Sequence, residues 1–133
     1  MTDKLSIGEA ARQSGIKIPT IRYYEQIGLL PAPPRTDGNR RCYGKDDIGR
    51  LGFIRHAREL GFEIEAIRAM LDLQDQPDRS CQRIDALTRA HLVEIEARIV
   101  RLNAMRQELQ RMLACCAGGR VAECRIIEAI ATV

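Results

Sequence analysis

The residues best suited to chemistry in this chain are its five cysteines: Cys42, Cys81, Cys115, Cys116 and Cys124. Gly118 and Gly119 permit a tight loop that brings Cys116 and Cys124 together. Two thiols across a glycine-rich loop suit a soft ion, and thiolate donors favour zinc, cadmium, mercury, lead or Cu(I). The same thiols, with the vicinal Cys115-Cys116 pair, also suit a switch that is oxidised to a disulfide. Cys42, beside Tyr43, reads as a small buried hydrophobe. Neither His56 nor His91 has a cysteine or histidine at ligand spacing. No nucleophile–base pair or carboxylate constellation stands out, so the chain is not read as an enzyme.

The element that must position these thiols is the stretch from Ser80 to Leu113, which has no Gly or Pro after Ile84. Its residues are strong helix formers, and Ser80 stands where an N-cap would. Leu92, Ile95, Ile99, Leu102, Met105, Leu109 and Met112 recur at steps of three and four, a coiled-coil seam. At about 1.5 Å per residue, Cys81 and Cys116 lie roughly 50 Å apart within one chain. A seam this long calls for a partner, and the commonest assembly is a two-fold dimer. Antiparallel pairing would bring Cys81 of one chain beside Cys116 and Cys124 of the other, a three-thiolate site at each end.

Composition agrees with a helical, soluble chain. Of 133 residues, 45% are hydrophobic but only 4% aromatic, with no Trp, which favours helices over a β-sandwich. There is no apolar run of membrane-spanning length and no secretory leader, so no membrane partner is expected. The expected compartment is the cytoplasm, where thiols stay reduced and available. The net charge is +3. It is unevenly spread: up to Phe62, eleven Lys/Arg face seven Asp/Glu, a surplus of four, while the remainder carries ten against eleven. The basic half points to a polyanion.

That half begins with Ser6-Ile7-Gly8-Glu9, a capping-box spacing, and Gly15 closes the helix that follows. Pro19 opens a second helix, Thr20 to Ile27, ended by Gly28. Two short helices around a tight turn form a helix-turn-helix pattern. The second carries Thr20, Arg22, Tyr23 and Tyr24, able to reach both bases and phosphates. Pro31, Pro33 and Pro34 then exclude helix, and Asp37-Gly38-Asn39 signals a turn flanked by Arg35, Arg40 and Arg41. The stretch from Leu29 to Tyr43 reads as a two-stranded wing with a basic tip. Helical periodicity resumes over 44–60, with Arg55 and Arg58 as further phosphate candidates, and again over 64–73.

Three segments carry a family resemblance: IRYYEQIGLLP at 21–31, RTDGNRRCY at 35–43 and IRHARELGF at 54–62. They resemble the signature of MerR-family transcription regulators, along nearly the whole chain. The resemblance implies a winged helix-turn-helix on promoter DNA, an antiparallel coiled-coil homodimer and a C-terminal effector loop. It also implies activation by twisting an over-long promoter spacer until RNA polymerase can use it. Arg22, Tyr24, Arg35, Arg41, Tyr43 and Arg58 match family DNA-contact positions, while Arg40 stands where copper-sensing relatives carry an aromatic. Cys81, Cys116 and Cys124 match the family's metal-ligand positions, and Cys115 is a fourth ligand or a spectator. A cysteine at the Cys81 position is similar to sensors of divalent ions, whereas seven residues between Cys116 and Cys124 resemble the copper branch. Cys81 supplies a ligand and loop length only shapes the site, so a thiophilic divalent ion is expected.

The expected architecture is mainly α. Residues 1–74 form a winged helix-turn-helix with connecting helices, 75–113 a linker and dimerisation helix, and 114–133 a metal-binding loop with a short C-terminal helix. The rivals to a metal-responsive activator are a Cu(I) sensor using Cys116 and Cys124, a thiol-redox regulator, and a helical interaction protein that binds no DNA.

Overall fold

The computed structural model describes residues 4–36, 38, 40–114, 119–121 and 124–131. Cys115, Cys116 and Gly118 of the expected loop, and Asp37 and Asn39 of the turn signal, lie outside the described residues. The chain divides into two compact units, residues 1–85 and 86–133.

In the first unit, α1 (Ile7–Ser14) starts on Ser6, whose side-chain oxygen accepts from the Glu9 N–H at 3.2 Å. The other half of the capping box is replaced: the Glu9 carboxylate pairs with Arg12. Gly15, at φ 73°, ends the helix and donates its N–H to the Ala11 carbonyl. The Arg55 guanidinium lies so close that a Cβ on Gly15 would meet it at 2.7 Å, and it donates to the Ser14 carbonyl at 3.3 Å. The left-handed backbone favours glycine there, and a side chain would also displace the Arg55 guanidinium.

The second helix, α2 (Ile18–Gln26), starts two residues earlier than Pro19 suggested. Extended Lys17 lets its carbonyl accept from both Thr20 and Ile21. Pro19 sits in the first turn, where its missing N–H costs nothing. After Gly28 (φ 76°), Leu29 and Leu30 fold back to donate to the Tyr24 carbonyl.

The expected two-stranded wing shows as isolated antiparallel bridges, not as continuous strands. Arg35 bridges Arg41, Thr36 donates to the Arg40 carbonyl and Cys42 to the Pro34 carbonyl. Pro33 and Pro34 bring no N–H, so a longer ladder has no donors on that side. Tyr43 instead exchanges both backbone bonds with Leu5, 2.8 Å each, which fastens the returning arm to the start of α1.

Two further helices complete the unit, α3 (Lys45–Glu59) and α4 (Ile64–Gln74). Asp47 accepts from the Gly44 N–H at 2.9 Å at the start of α3. α1 packs on α2 and α3, and α3 on α4. Ile21, Leu29, Leu30, Tyr43, Leu51, Ile54, Ile67 and Leu71 are fully buried between them.

The long helix α5 (Gln82–Ala114) has 33 residues, about 50 Å at the usual rise. Ser80, expected as the N-cap, stands one residue before it, its side-chain oxygen accepting from the Gln82 N–H at 3.2 Å. The backbone cap is Cys81, whose carbonyl accepts the first helical bond, from Asp85. No residue of α5 is buried. After it, α6 (Arg125–Ala131) is a short helix, again without a buried residue.

Candidate nucleic-acid interface and cysteine positions

Arg22 on α2 and Arg35, Arg40 and Arg41 on the bridged arm line one open groove with Ser6 and Ile7, about 440 Å³ in volume. Arg22, Arg35 and Arg40 are exposed and Arg41 is half-buried. The first turn of α1 adds the positive end of a helix dipole to the same groove. Four guanidiniums around one concavity, three of them with exposed heads, suit a polyanion and would repel a cation.

The remaining expected contact residues fall in three environments. Thr20 is half-buried and Tyr23 is exposed, at 50%. Tyr24 and Tyr43 are buried, so their rings pack in the core instead of standing in the groove. Arg58 donates to the Phe62 carbonyl at 3.0 Å, closing the end of α3.

One residue of this region was not singled out by sequence. The Glu25 side chain is only 7% exposed; its carboxylate accepts from the Tyr43 hydroxyl and pairs with Arg41 Nε at 3.2 Å. Burial disfavours the Tyr43 phenolate, and Glu25 accepts its proton and repels the anion, so the hydroxyl is held well above its ordinary range. A signal existed: Ile21, Tyr24 and Glu25 follow the i, i+3, i+4 pattern, which puts a carboxylate on the buried stripe of α2. Arg50 was also missed. It donates to the Leu29 carbonyl at 3.2 Å and pairs with Asp75 at 3.3 Å, tying α3 to the turn after α2 and to the end of α4.

The cysteines divide by exposure. Cys42 is buried, as expected; Cys81 is exposed and Cys124 half-buried, and none of the three is in a disulfide. Among the described residues no three metal-binding side chains cluster within the chain. Cys81 and Cys124 offer accessible sulfur donors, the chemistry a thiophilic ion takes.

A family model described as MerR HTH family regulatory protein matches residues 5–74, and one described as MerR, DNA binding matches residues 48–112. The chain is 40% identical over 127 residues to the HTH-type transcriptional regulator ZntR of Escherichia coli (strain K12), covering 93% of this chain and 90% of that one. It is similar to the crystal structure of the transcription regulator PbrR691 from Ralstonia metallidurans CH34 in complex with lead(II). The TM-score is 0.82 and the identity 34%, with 96% and 99% of the two chains covered. A second similar structure is the dual-function transcriptional regulator MerR from Bacillus megaterium MB1 in complex with mercury(II). There the TM-score is 0.70 and the identity 28%, over 95% and 98% of the chains. Family models that together span residues 5–112, and relatives matched along nearly their whole length, leave one conclusion: the chain belongs to the MerR family of helix-turn-helix regulatory proteins.

Proposed function

We propose that this chain is a cytoplasmic, homodimeric transcription activator that binds promoter DNA and responds to a thiophilic divalent metal ion, Zn, Cd, Hg or Pb. It is a regulator, not an enzyme. The observation that carries the reading is the arginine groove, where Arg22 of α2 and Arg35, Arg40 and Arg41 converge on one polyanion-sized concavity. Residues 1–74 act as the winged DNA-binding domain, with α2 as recognition helix and Thr20, Arg22, Tyr23, Arg35, Arg40 and Arg41 at the duplex. Tyr24, Tyr43 and Arg58 support that surface from behind. The relatives that bind lead(II) and mercury(II) favour a divalent ion over Cu(I).

Residues 75–113 supply the linker and the dimerisation helix. The exposed apolar side chains of α5, among them Leu92, Ile99, Leu102, Met105 and Leu109, support an antiparallel coiled coil. Residues 114–133 hold the metal loop. Since α5 separates Cys81 from Cys116 by about 50 Å in one chain, the site is built across the dimer, from Cys116 and Cys124 of one chain and Cys81 of its partner. Cys115, adjacent to Cys116 in sequence, is a fourth ligand or a spectator. Cys116 and Cys124 of one chain and Cys81 of its partner would hold the ion, which would supply thiolate coordination at each end of the dimer. The loaded dimer then distorts promoter DNA so that RNA polymerase can use it.

Mixed dimers test the cross-chain site. One chain carries Cys81→Ser, the other Cys116→Ser with Cys124→Ser. Neither homodimer has a complete site. In the heterodimer, one end combines the intact Cys81 of the loop variant with the intact loop of the Cys81→Ser chain. About one tightly held zinc or lead ion per heterodimer, measured anaerobically, is expected. No recovery in confirmed heterodimers would sink the cross-chain site. If Cys81→Ser leaves the zinc, cadmium, mercury and lead responses all unchanged, Cu(I) becomes the effector.

A further inference from the structure

A carboxylate beside a basic DNA groove lowers the positive potential there, so a charge-based account gives Glu25 no place in it. The structure nevertheless buries Glu25 on α2 between two residues of the returning arm. Its carboxylate accepts from the Tyr43 hydroxyl and pairs with Arg41 Nε at 3.2 Å. Tyr43 is itself anchored, with a fully buried side chain and a backbone paired to Leu5. The chain of contacts thus runs from a fixed point in the core, through Glu25, to the one arginine of the groove that is half-buried.

We propose that Glu25 is a positioning residue for DNA binding: clasped by Tyr43, it fixes the Arg41 guanidinium and locks the basic arm to α2. The inference rests on the reading of the arginine groove as the DNA surface. Arginine presents a planar fork of donors, and a carboxylate that takes Nε leaves the two terminal nitrogens to face outward with their direction set. Pre-organisation of this kind spares the ordering cost that a free arginine meets on binding a phosphate. The pair is screened less than a surface ion pair, because Glu25 is only 7% and Arg41 29% exposed at the side chain.

The test turns on a sign. Glu25→Gln adds one positive charge per chain, and electrostatics alone would tighten binding to any duplex. Positioning requires the reverse. The reduced, metal-free homodimer is titrated with a duplex enriched from random-sequence DNA by the wild-type protein, at several salt concentrations. Arg41→Ala is expected to weaken binding about tenfold and to lower the salt slope by about one per chain. Glu25→Gln is expected to weaken it about five- to tenfold, and to do so by less than about twofold when Arg41→Ala is already present. Tyr43→Phe, a milder change should Glu25→Gln fold poorly, is expected to give a two- to fivefold loss, about as large as loosened clasping allows, again absent beside Arg41→Ala.

Tighter binding by Glu25→Gln would make Glu25 a mere counter-charge and overturn the proposal. An equal loss in both backgrounds would overturn it too, since general damage to the fold does not depend on Arg41. No effect of Arg41→Ala on affinity or slope would remove the groove reading itself, and the inference with it.

Discussion

The first unit and α5 treat their apolar residues in opposite ways. In the unit, Ile21, Leu51, Ile54, Ile67 and Leu71 are sealed within a few short helices, and the polar groups among them find partners in the chain. Along α5, Leu92, Val93, Ile99, Val100, Leu102, Met105, Leu109 and Leu113 are all at least half exposed, and none of its 33 residues is buried. The helices of the unit are short, α1 having 8 residues and α2 9, and lengths like these are marginal in isolation. They hold because tertiary packing holds them. α5 has length and propensity, but none of its residues is buried within the chain, and an apolar surface of that extent marks an interface. The first unit thus buries its apolar residues within one chain, while the long helix leaves its own exposed, the face that the proposed dimer would cover.

The largest effect should come from breaking the second half of that contrast. Leu102→Asp places an unpaired carboxylate on the seam of each chain, so a dimer would bury two, each at a cost of several kcal/mol. The dimer dissociation constant measured by sedimentation is expected to rise at least about a hundredfold. Helical circular dichroism should fall with it, while the amide protection of Ile54 and Leu71 persists. A wild-type chain that is monomeric with full helical content would refute the contrast.

A smaller effect sharpens the first half, where a buried polar cluster shares the core with apolar residues. The Tyr43 hydroxyl is raised in the folded state by burial and by Glu25. A group raised above its unfolded value contributes stability that is complete below the unfolded pKa. That stability is lost as pH climbs toward the folded one. For tyrosine the decline starts near about pH 10, with a slope of at most about 1.4 kcal/mol per pH unit from this group. Urea unfolding across that range should show the slope in the wild type and a shallower one in Tyr43→Phe. At neutral pH the same variant should cost about 1.5–3 kcal/mol, the usual range for a hydrogen bond to a charged group. An alkaline slope that Tyr43→Phe leaves unchanged would remove this residue from the account.

The two regions also differed in how far the sequence disclosed them. Among the described residues, periodicity and caps marked six helices within a few residues, because Ser6, Gly15, Pro19 and Gly28 act locally and their neighbours suffice to read them. The apolar repeat of α5 was legible for the same reason. The Leu5–Tyr43 bridge was not, since it joins residues far apart in sequence with two helices between them and no hairpin to signal the pairing. Arg50 gives no local sign that it spans Leu29 and Asp75. Side-chain roles were least legible where residue type misled. Tyr24 and Tyr43 are types that read bases, yet here they fill the core, and Glu25, the residue that joins arm to helix, looks like an ordinary surface acid until its place on the buried stripe is noticed.

The finest comparison is between two serines at helix starts, Ser6 as the N-cap of α1 and Ser80 one residue before the cap of α5. Ser6 Oγ accepts from the third residue of its helix, Glu9, and Ser80 Oγ from Gln82, both at 3.2 Å. Loss of a serine cap costs about 1 kcal/mol on average. α1 is short and packs on α2 and α3, so Ser6→Ala should pass its cost to the whole unit and lower the unfolding free energy by about that amount. The first turn of α5 is exposed at Cys81, Gln82 and Arg83, and fraying there breaks few contacts elsewhere. Ser80→Ala should therefore leave global stability within about 0.5 kcal/mol. Its effect should appear instead in the exchange rates of the Gln82 and Arg83 amides, and as a two- to fivefold loss of zinc affinity, about what releasing the Cys81 turn would cause. Equal losses of global stability from Ser6→Ala and Ser80→Ala would show that the start of α5 is as tightly built into its surroundings as α1, and would erase the distinction between the two regions at that end of the helix.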